Sequence, residues 1–499
     1  MPISLFGQSK FDYHWALGYD TSLFDPGGDV IIINFNFNPV NIQTLKTVER
    51  FDASGANTSM SDSSGKLIFY TSGCNLFNSM RQVMQNGDSL NPGIIWKYYC
   101  LQGGNSPNTG GAIAIPWPDS PHLYLVFIND YESIKFPGEP FTVTGASAHL
   151  YYNVVDMNQD GGLGAVTLKN QVLIADTLSP NSIEACRHAN GHDWWVLIPV
   201  PRSNCYYLTL VTAAGPQTPR LVCTGIPWDL NDQVGQSFFT PDTKKFIRFN
   251  SWNGIRIYDF DNETGVLSNQ VVVPTPDITS NNVGATVSPN SRYLYVCAVT
   301  RLFQYDLEAP DIADSRVLIL YYDTIPDPFY PSGFILAATA PDGKVYVSSG
   351  STHLSLHVVH RPDCPGLYSL PERRGLKLSS WNFYCIPNMP FYRDEPYPGE
   401  CDSMVVHSYT PVDGDKRVIV YPNPATEQVK LIVNRPLPTG SDWVLFDSAG
   451  REVRRQSLEK GLGDYSIAVD DLAAGMYFFN IQTTDRILET GKLVIVLSP

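Results

Sequence analysis

Positive charge is scarce in this 499-residue chain: 34 Lys and Arg stand against 49 Asp and Glu, a net charge of −15 at neutral pH. With no basic run, the chain repels a phosphate backbone, which speaks against nucleic acid as a partner. Long apolar runs are missing too. The longest are strand-length, such as Val30 to Ile33, well short of the roughly 20 residues a membrane-spanning helix needs, so no membrane span is expected. The nine Cys include no CxxC pair, which disfavours a zinc ribbon or a thioredoxin-like centre. There is no G-x-S-x-G elbow, and Cys and His show no local nucleophile signature. Acidic pairs for glycoside chemistry are the enzymatic option that stays open, because in a repeat array they meet in space from distant segments. The first ten residues lack the basic and apolar regions of a secretory signal, although Ser4-Leu5-Phe6-Gly7-Gln8 fits the tail of one.

Glycine and proline, 38 each, with 12% aromatic and 43% hydrophobic residues, describe a turn-rich all-β chain. One unit recurs. Thr339 to Val347 reads as a strand, a Pro-Asp-Gly turn and a second alternating strand; Val287 to Val296 and Phe239 to Ile247 have the same layout. Proline presets one turn dihedral, Asp or Asn caps its own backbone, and period-two alternation marks a half-buried strand. Weaker copies lie at Ser61–Tyr70, Pro118–Leu125 and Ala189–Val196. The turn residues Asp62, Asp119, Asn190, Asp242, Asn290 and Asp342 stand 48 to 71 residues apart, slightly above the roughly 40 to 50 of propeller repeats. Six hairpins predict six blades. The strand pattern from Tyr13 to Phe37, with Leu378 to Tyr392 as inner partner, predicts a seventh, composite blade that closes the ring and removes its edges. The expectation is a seven-bladed β-propeller over 11–405, with six blades as the rival.

Several stretches invite a site. The insertion Asn129 to Ala148 is a long loop on a rigid scaffold, fit for binding or for plain surface packing. His353, His357 and His360 suggest a metal, but strand parity puts His360 on the opposite face from the other two. Asp156-Met157-Asn158-Gln159-Asp160-Gly161 resembles the start of a calcium loop, yet position twelve is Thr167 rather than Glu. Asp259, Asp261 and Glu263 before Gly265 form a similar acidic turn and read as a solvated loop. No metal, cofactor or catalytic residue is expected. Cys186 and Cys297 fall in strand patterns as buried thiols, whereas Cys364, Cys385 and Cys401 lie in loop-like sequence where a disulfide would tie down the closing segment.

Beyond Pro411 the repeat stops. Pro411-Val412-Asp413-Gly414-Asp415 has a linker's composition, so 406–417 is read as a linker and 418–499 as a second domain. Its strands are expected at 429–433, 443–446, 452–455, 465–469, 476–481 and 492–496, an Ig-like β-sandwich. The acidic excess falls on the propeller.

Residues Asp62 to Tyr392 resemble the β-propellers of large secreted Bacteroidetes proteins through Gly65–Thr71, His188–Trp195, the hairpin at Pro341 and His357–Asp363. The last 85 or so residues are similar to the type A sorting domain of the type IX secretion system. The matching residues are Tyr421, Pro422, Asn423, Pro424 and Ala425; Asp447 with Gly450 and Arg451; Leu472 to Tyr477, including Gly475 and Tyr477; and Gly491 with Lys492. The resemblance implies recognition by the type IX secretion machinery, export across the outer membrane, then surface attachment or release. It also implies a signal peptide, which the first ten residues do not supply. The expected function is a secreted or cell-surface binding or display module with a glycan or protein ligand on the propeller. The rival is a carbohydrate-active or other hydrolase, which would show a deep axial pocket with two or more perturbed carboxylates.

Overall fold

A computed structural model describes residues 9–19, 29–46, 51–101, 104–134, 143–228, 234–275, 277–278, 280, 283–323, 325–384, 386–393, 401, 418–421, 423–433, 437–458 and 463–496. All six expected hairpins form. Their strands are Thr58–Ser61 with Leu67–Thr71, Ala112–Pro116 with Leu123–Asn129, Glu184–Arg187 with Trp194–Pro199, Gln236–Phe239 with Lys245–Asn250, Ala285–Val287 with Tyr293–Cys297, and Ala337–Thr339 with Val345–Val347. The turns work by one device. Asp62 Oδ1 accepts from the backbone N–H of Ser64 at 2.9 Å and of Lys66 at 3.0 Å, and Asn290 and Asp342 accept from the N–H two residues on at 3.1 and 3.2 Å. The side-chain acceptor adds to the turn's own backbone bonds, such as Gly65 N–H to Asp62 O at 2.9 Å and Gly343 N–H to Ala340 O at 3.0 Å.

Each hairpin opens a small antiparallel sheet that the chain extends outward, the fourth hairpin's being Gln236–Phe239, Lys245–Asn250, Gly254–Asp261 and Val266–Val273 in that spatial order. The first strands are mostly buried and several are built of small residues, as in Thr58-Ser59-Met60-Ser61 and Ala337-Ala338-Thr339, because sheets converge at the axis and leave little width there. They also begin at one common end. Asn388 alone reaches the carbonyls of Gly110, Ala112 and Ile183 with its side chain and that of Asn57 with its N–H. Gln236 Oε1 accepts from Ala285 N at 3.2 Å and Ala337 N at 3.3 Å. The turns that follow the first strands therefore share the opposite face.

Closure differs from the composite blade expected from the sequence. Leu378 to Phe383 is part of Pro371–Phe383, the fourth strand of the last sheet, paired to Thr352–Val359. His14–Leu17, Asp29–Asn34 and Asn41–Lys46 form a three-stranded sheet of their own. His14–Leu17 runs opposite to its neighbour, since Ser59 Oγ donates to His14 O at 2.7 Å while Asn57 Nδ2 donates to Ala16 O at 2.7 Å. Ser9 and residues 386–393 do meet near the axis, but not as the strands expected of a composite blade, since 386–393 lie there without a strand ladder. Tyr392 OH donates to Ala114 O at 2.6 Å and Ser9 Oγ to Tyr392 O at 3.0 Å. The prolines at 387 and 390 explain the irregularity, since neither can donate to a ladder. Edge-to-face packing of Trp15 on Tyr346, with ring centres 5.7 Å apart, joins the first sheet to the last.

The insertion Asn129 to Ala148 extends the third sheet: Glu132–Ile134 pairs with the start of Val143–Asp156. Asp130 anchors it by accepting from the N–H of Ala148 and His149 at 2.6 and 3.0 Å.

From Val418 the second unit has two sheets. One holds Val418–Tyr421, Gln428–Val433 and Gly463–Ala468; the other holds Glu452–Ser457, Asp442–Phe446, Gly475–Gln482 and Ile487–Ile495. Val429, Leu431 and Ile467 of one pack with Trp443, Tyr477, Phe479 and Leu493 of the other, the alternating inner faces of a sandwich.

Candidate ligand-binding face

The face carrying the hairpin turns holds two clefts. The larger, about 590 Å³, lies at the seam between the first and last sheets. Phe35 to Val40, the turn after Asp29–Asn34, forms one wall; Pro341 to Lys344 and His360 to Cys364 form the other. Phe37 presents a ring that is 56% exposed. Around it the polar groups are held in place: Lys344 Nζ lies 3.2 Å from Asp342, whose other role is to accept from Tyr346 OH at 2.8 Å. His360 Nε2 meets Glu372 at 2.7 Å, and Asp363 accepts from Asn290 N at 2.9 Å. The Cys364–Cys401 disulfide ties the chain leaving the propeller to this wall.

The second cleft, about 330 Å³, is walled by the turns of the second, third and fourth sheets. Trp117 is pinned there by Nε1–H donation to Ala213 O at 3.0 Å. Arg187 lies over Trp194 at 4.2 Å from the ring centre, and His192 Nδ1 stands 3.4 Å from Asp119. Burial pushes the Tyr124 hydroxyl up to about 12. Both clefts fall within or near the size range of ordinary ligand sites, and both mix aromatic faces with fixed polar groups.

The axis offers something else: a cavity of only about 70 Å³ between the first strands and Pro387 to Phe391. Asp12 and Glu184 both line it, and burial raises the pKa of each, that of Glu184 well above the usual carboxylate range. Ser237 Oγ donates to Glu184 at 3.2 Å, and Arg393 stands 4.0 Å from Asp12.

The histidines singled out by sequence do not converge. His353 Nδ1 bonds to Asp327 O at 2.8 Å, His357 lies in the core and accepts from Arg374 N at 3.2 Å, and burial pulls its pKa down to about 3. Asp156 spends its oxygens on Asn158 N and Gln159 Nε2, both at 2.9 Å, and Asp261 on Glu263 and Thr264, so both acidic stretches are self-capped turns. Among the described residues no group of three or more His, Cys, Asp or Glu is placed to hold a metal. Cys186 and Cys297 are buried thiols. Two disulfides, Cys74–Cys100 and Cys205–Cys223, were not legible as pairs in the sequence; Cys205 and Cys223 face each other across neighbouring strands, a register that only the pairing reveals. Cys385 and Met1 to Gln8 lie outside the described residues.

In the sandwich, the sorting-motif residues cluster in two places. Asn423 Nδ2 donates to Lys492 O at 2.7 Å and its Oδ1 accepts from Val494 N at 2.8 Å. With the bonds of Ala425 to Val494 and of Val496 to Ala425, this joins the segment at Tyr421–Ala425 to that at Gly491–Val494. Pro424 follows a cis peptide bond, and Pro422 lies outside the described residues. Gly491 is required by geometry: a Cβ there would come within 2.1 Å of the Phe479 ring. Tyr477 OH donates to Ala473 O at 2.8 Å, fixing the turn before Gly475. At the other place, Asp447 accepts from Ala449 N, Arg451 N and Arg451 Nε at 2.7 to 2.9 Å, and those bonds, the Arg451 N–H foremost, keep its carboxyl below the usual range. Gly450 completes this turn at φ 79°, a conformation that suits glycine.

None of the curated proteins matches the chain. Among solved structures, the Dos1 propeller is 12% identical with a TM-score of 0.39, covering 75% of this chain and 88% of its own. A luciferin-regenerating enzyme is 13% identical with a TM-score of 0.33, over 76% of this chain and 99% of its own. A quinonprotein alcohol dehydrogenase-like protein from Bacteroides thetaiotaomicron is 11% identical with a TM-score of 0.29, over 71% and 82%. Similarity at this level says nothing of what this chain binds. Residues 419–496 match the family described as the secretion system C-terminal sorting domain. No helix among the described residues is long and apolar enough to cross a membrane. The sandwich is thus a secretion system C-terminal sorting domain of the type IX kind, carried behind a ring of small antiparallel sheets of β-propeller type.

Proposed function

We propose that the protein is a non-catalytic binding or display module, held at the cell surface or released, whose propeller takes a glycan or protein ligand on its turn face. In this reading 11–405 is a seven-bladed ring, 406–417 a linker and 418–499 the domain read by the secretion machinery, with the motif residues from Tyr421 to Lys492 as its signal. The observation that carries the binding role is the cleft of about 590 Å³ at the seam. It has an exposed aromatic ring, fixed charges of both signs and the size of a ligand site, while the axial cavity of about 70 Å³ has room for a few waters at most.

A hydrolase is the second reading, favoured by Asp12 and Glu184, two buried carboxyls of raised pKa that share the axial cavity. Raised acids in one cavity are a common mark of acid–base catalysis. The small volume and the chain segment 386–393 across it weigh against substrate entry. A glycan array paired with a hydrolysis screen separates the two. Binding without turnover is the expected result; turnover abolished by Glu184→Gln would overturn the binding-only reading.

A further inference from the structure

The two clefts on the turn face are divided by three consecutive residues. Phe11 lines the cleft of about 330 Å³, Tyr13 lines the cleft of about 590 Å³, and Asp12 between them points to the axial cavity. Two residues of chain span at most about 7 Å, less in a turn such as this one, so the clefts are adjacent. The divider is clamped from the C-terminal side. The Phe11 ring packs on Tyr392 with centres 5.7 Å apart, and the Arg393 guanidinium stands 5.8 Å from the Tyr13 ring centre.

We infer that the two clefts are the halves of one extended site for a neutral polysaccharide, which would lie across the turn face and over the Phe11–Tyr13 divider. This rests on the binding reading above and names its ligand class. Each half offers what a sugar chain needs: an aromatic surface for the apolar face of a pyranose ring, and polar groups for its hydroxyls. In one half these are Phe37 with Asp342 and Lys344; in the other they are Trp117 with His192 and Asp119. Ionisable groups of opposite kind are paired in each half, Lys344 with Asp342 and His360 with Glu372 in one and His192 with Asp119 in the other, so neither half is built to select an ion. The net charge of −15 disfavours a polyanion. A small ligand would fill one cleft and leave the other without a purpose; a chain uses both.

The test is calorimetric titration of the full chain with cello-, manno-, xylo- and laminari-oligosaccharides of two and of six units, with polygalacturonate and an extended neutral peptide alongside. At least one neutral hexamer should bind about tenfold or more tightly than its dimer. Phe37→Ala in one cleft and His192→Ala in the other, both at exposed side chains, should each weaken the hexamer while leaving the melting temperature unchanged. Trp117→Ala adds a second reading of the smaller cleft. Equal affinity for dimer and hexamer, an effect confined to one cleft, or preference for polygalacturonate would overturn the inference and leave the binding reading standing. Peptide binding with no saccharide binding would do the same, and binding of no probe would count against both.

Discussion

The side-chain amide of Asn388 donates to the carbonyl of Ile183 at 2.9 Å, across 205 residues of chain. The same group reaches Ala112 O at 3.2 Å and Gly110 O at 3.5 Å, so one short polar side chain holds the leading ends of the first strands of two sheets. With its backbone N–H on Asn57 O, Asn388 braces the second, third and fourth sheets against one another at the axis, where no strand ladder runs.

Asn388→Ala should therefore destabilise the propeller out of proportion to its size. Stranding buried carbonyls costs about 1–3 kcal/mol each when nothing replaces the donor, and water entering the axial cavity would offset part of this. A loss of about 2–3 kcal/mol in denaturant unfolding is expected, with the sandwich transition unmoved. No change would show that Asn388 does not brace these inner strands.

Glu184 gives a pH dependence whose sign follows from burial. Its folded pKa is raised well above the usual value, so the folded state binds this proton more tightly than the unfolded chain does. The associated stability is complete below the unfolded pKa and is lost as pH rises through the folded one. Asp12, raised by the same cause, acts in the same direction. Unfolding midpoints should fall as pH rises above the ordinary carboxylate range, and Glu184→Gln, which still accepts from Ser237, should flatten the fall. An unchanged slope in the variant would remove Glu184 as its source.

Gly491→Ala places a methyl group where the Phe479 ring lies. Forced overpacking of this kind costs about 1–3 kcal/mol, and the loss should appear in the sandwich transition alone. Export should fall in step, because a destabilised sorting domain is presented less often in its folded form. Restored stability in Gly491→Ala with Phe479→Leu would tie the effect to that contact; a loss that persists there would point elsewhere.

How much was legible depended on how local the cause was. The Pro-Asp-Gly turn at Pro341 announces its hairpin because the capping oxygen, the turn glycine and the alternating strand lie within nine residues, and the sandwich strands near Trp443 and Met476 were legible for the same reason. The closing segment was not. Asn388 acts through side-chain bonds to distant carbonyls, which leave no period, and alternation around Leu378 fits an outer strand as well as an inner one. The clefts were illegible as well, since Phe37 and Asp342 become neighbours only when the first sheet meets the last. The one local signal is Phe37 between Asn36 and Asn38 at a turn, where burial gives no reason for a ring.

The central claim is that a self-sufficient propeller is delivered by a sandwich that has no part in ligand binding, and its most direct test is deletion of Val418 to Pro499 from a version expressed behind a working signal peptide. Cell fractionation with a melting curve on the recovered protein reads both halves of the claim. The account predicts the intact chain at the surface or in the medium, and the truncated chain folded, with an unchanged propeller transition, in the periplasm. Efficient surface delivery of the truncated protein, or loss of propeller folding without the sandwich, would contradict it.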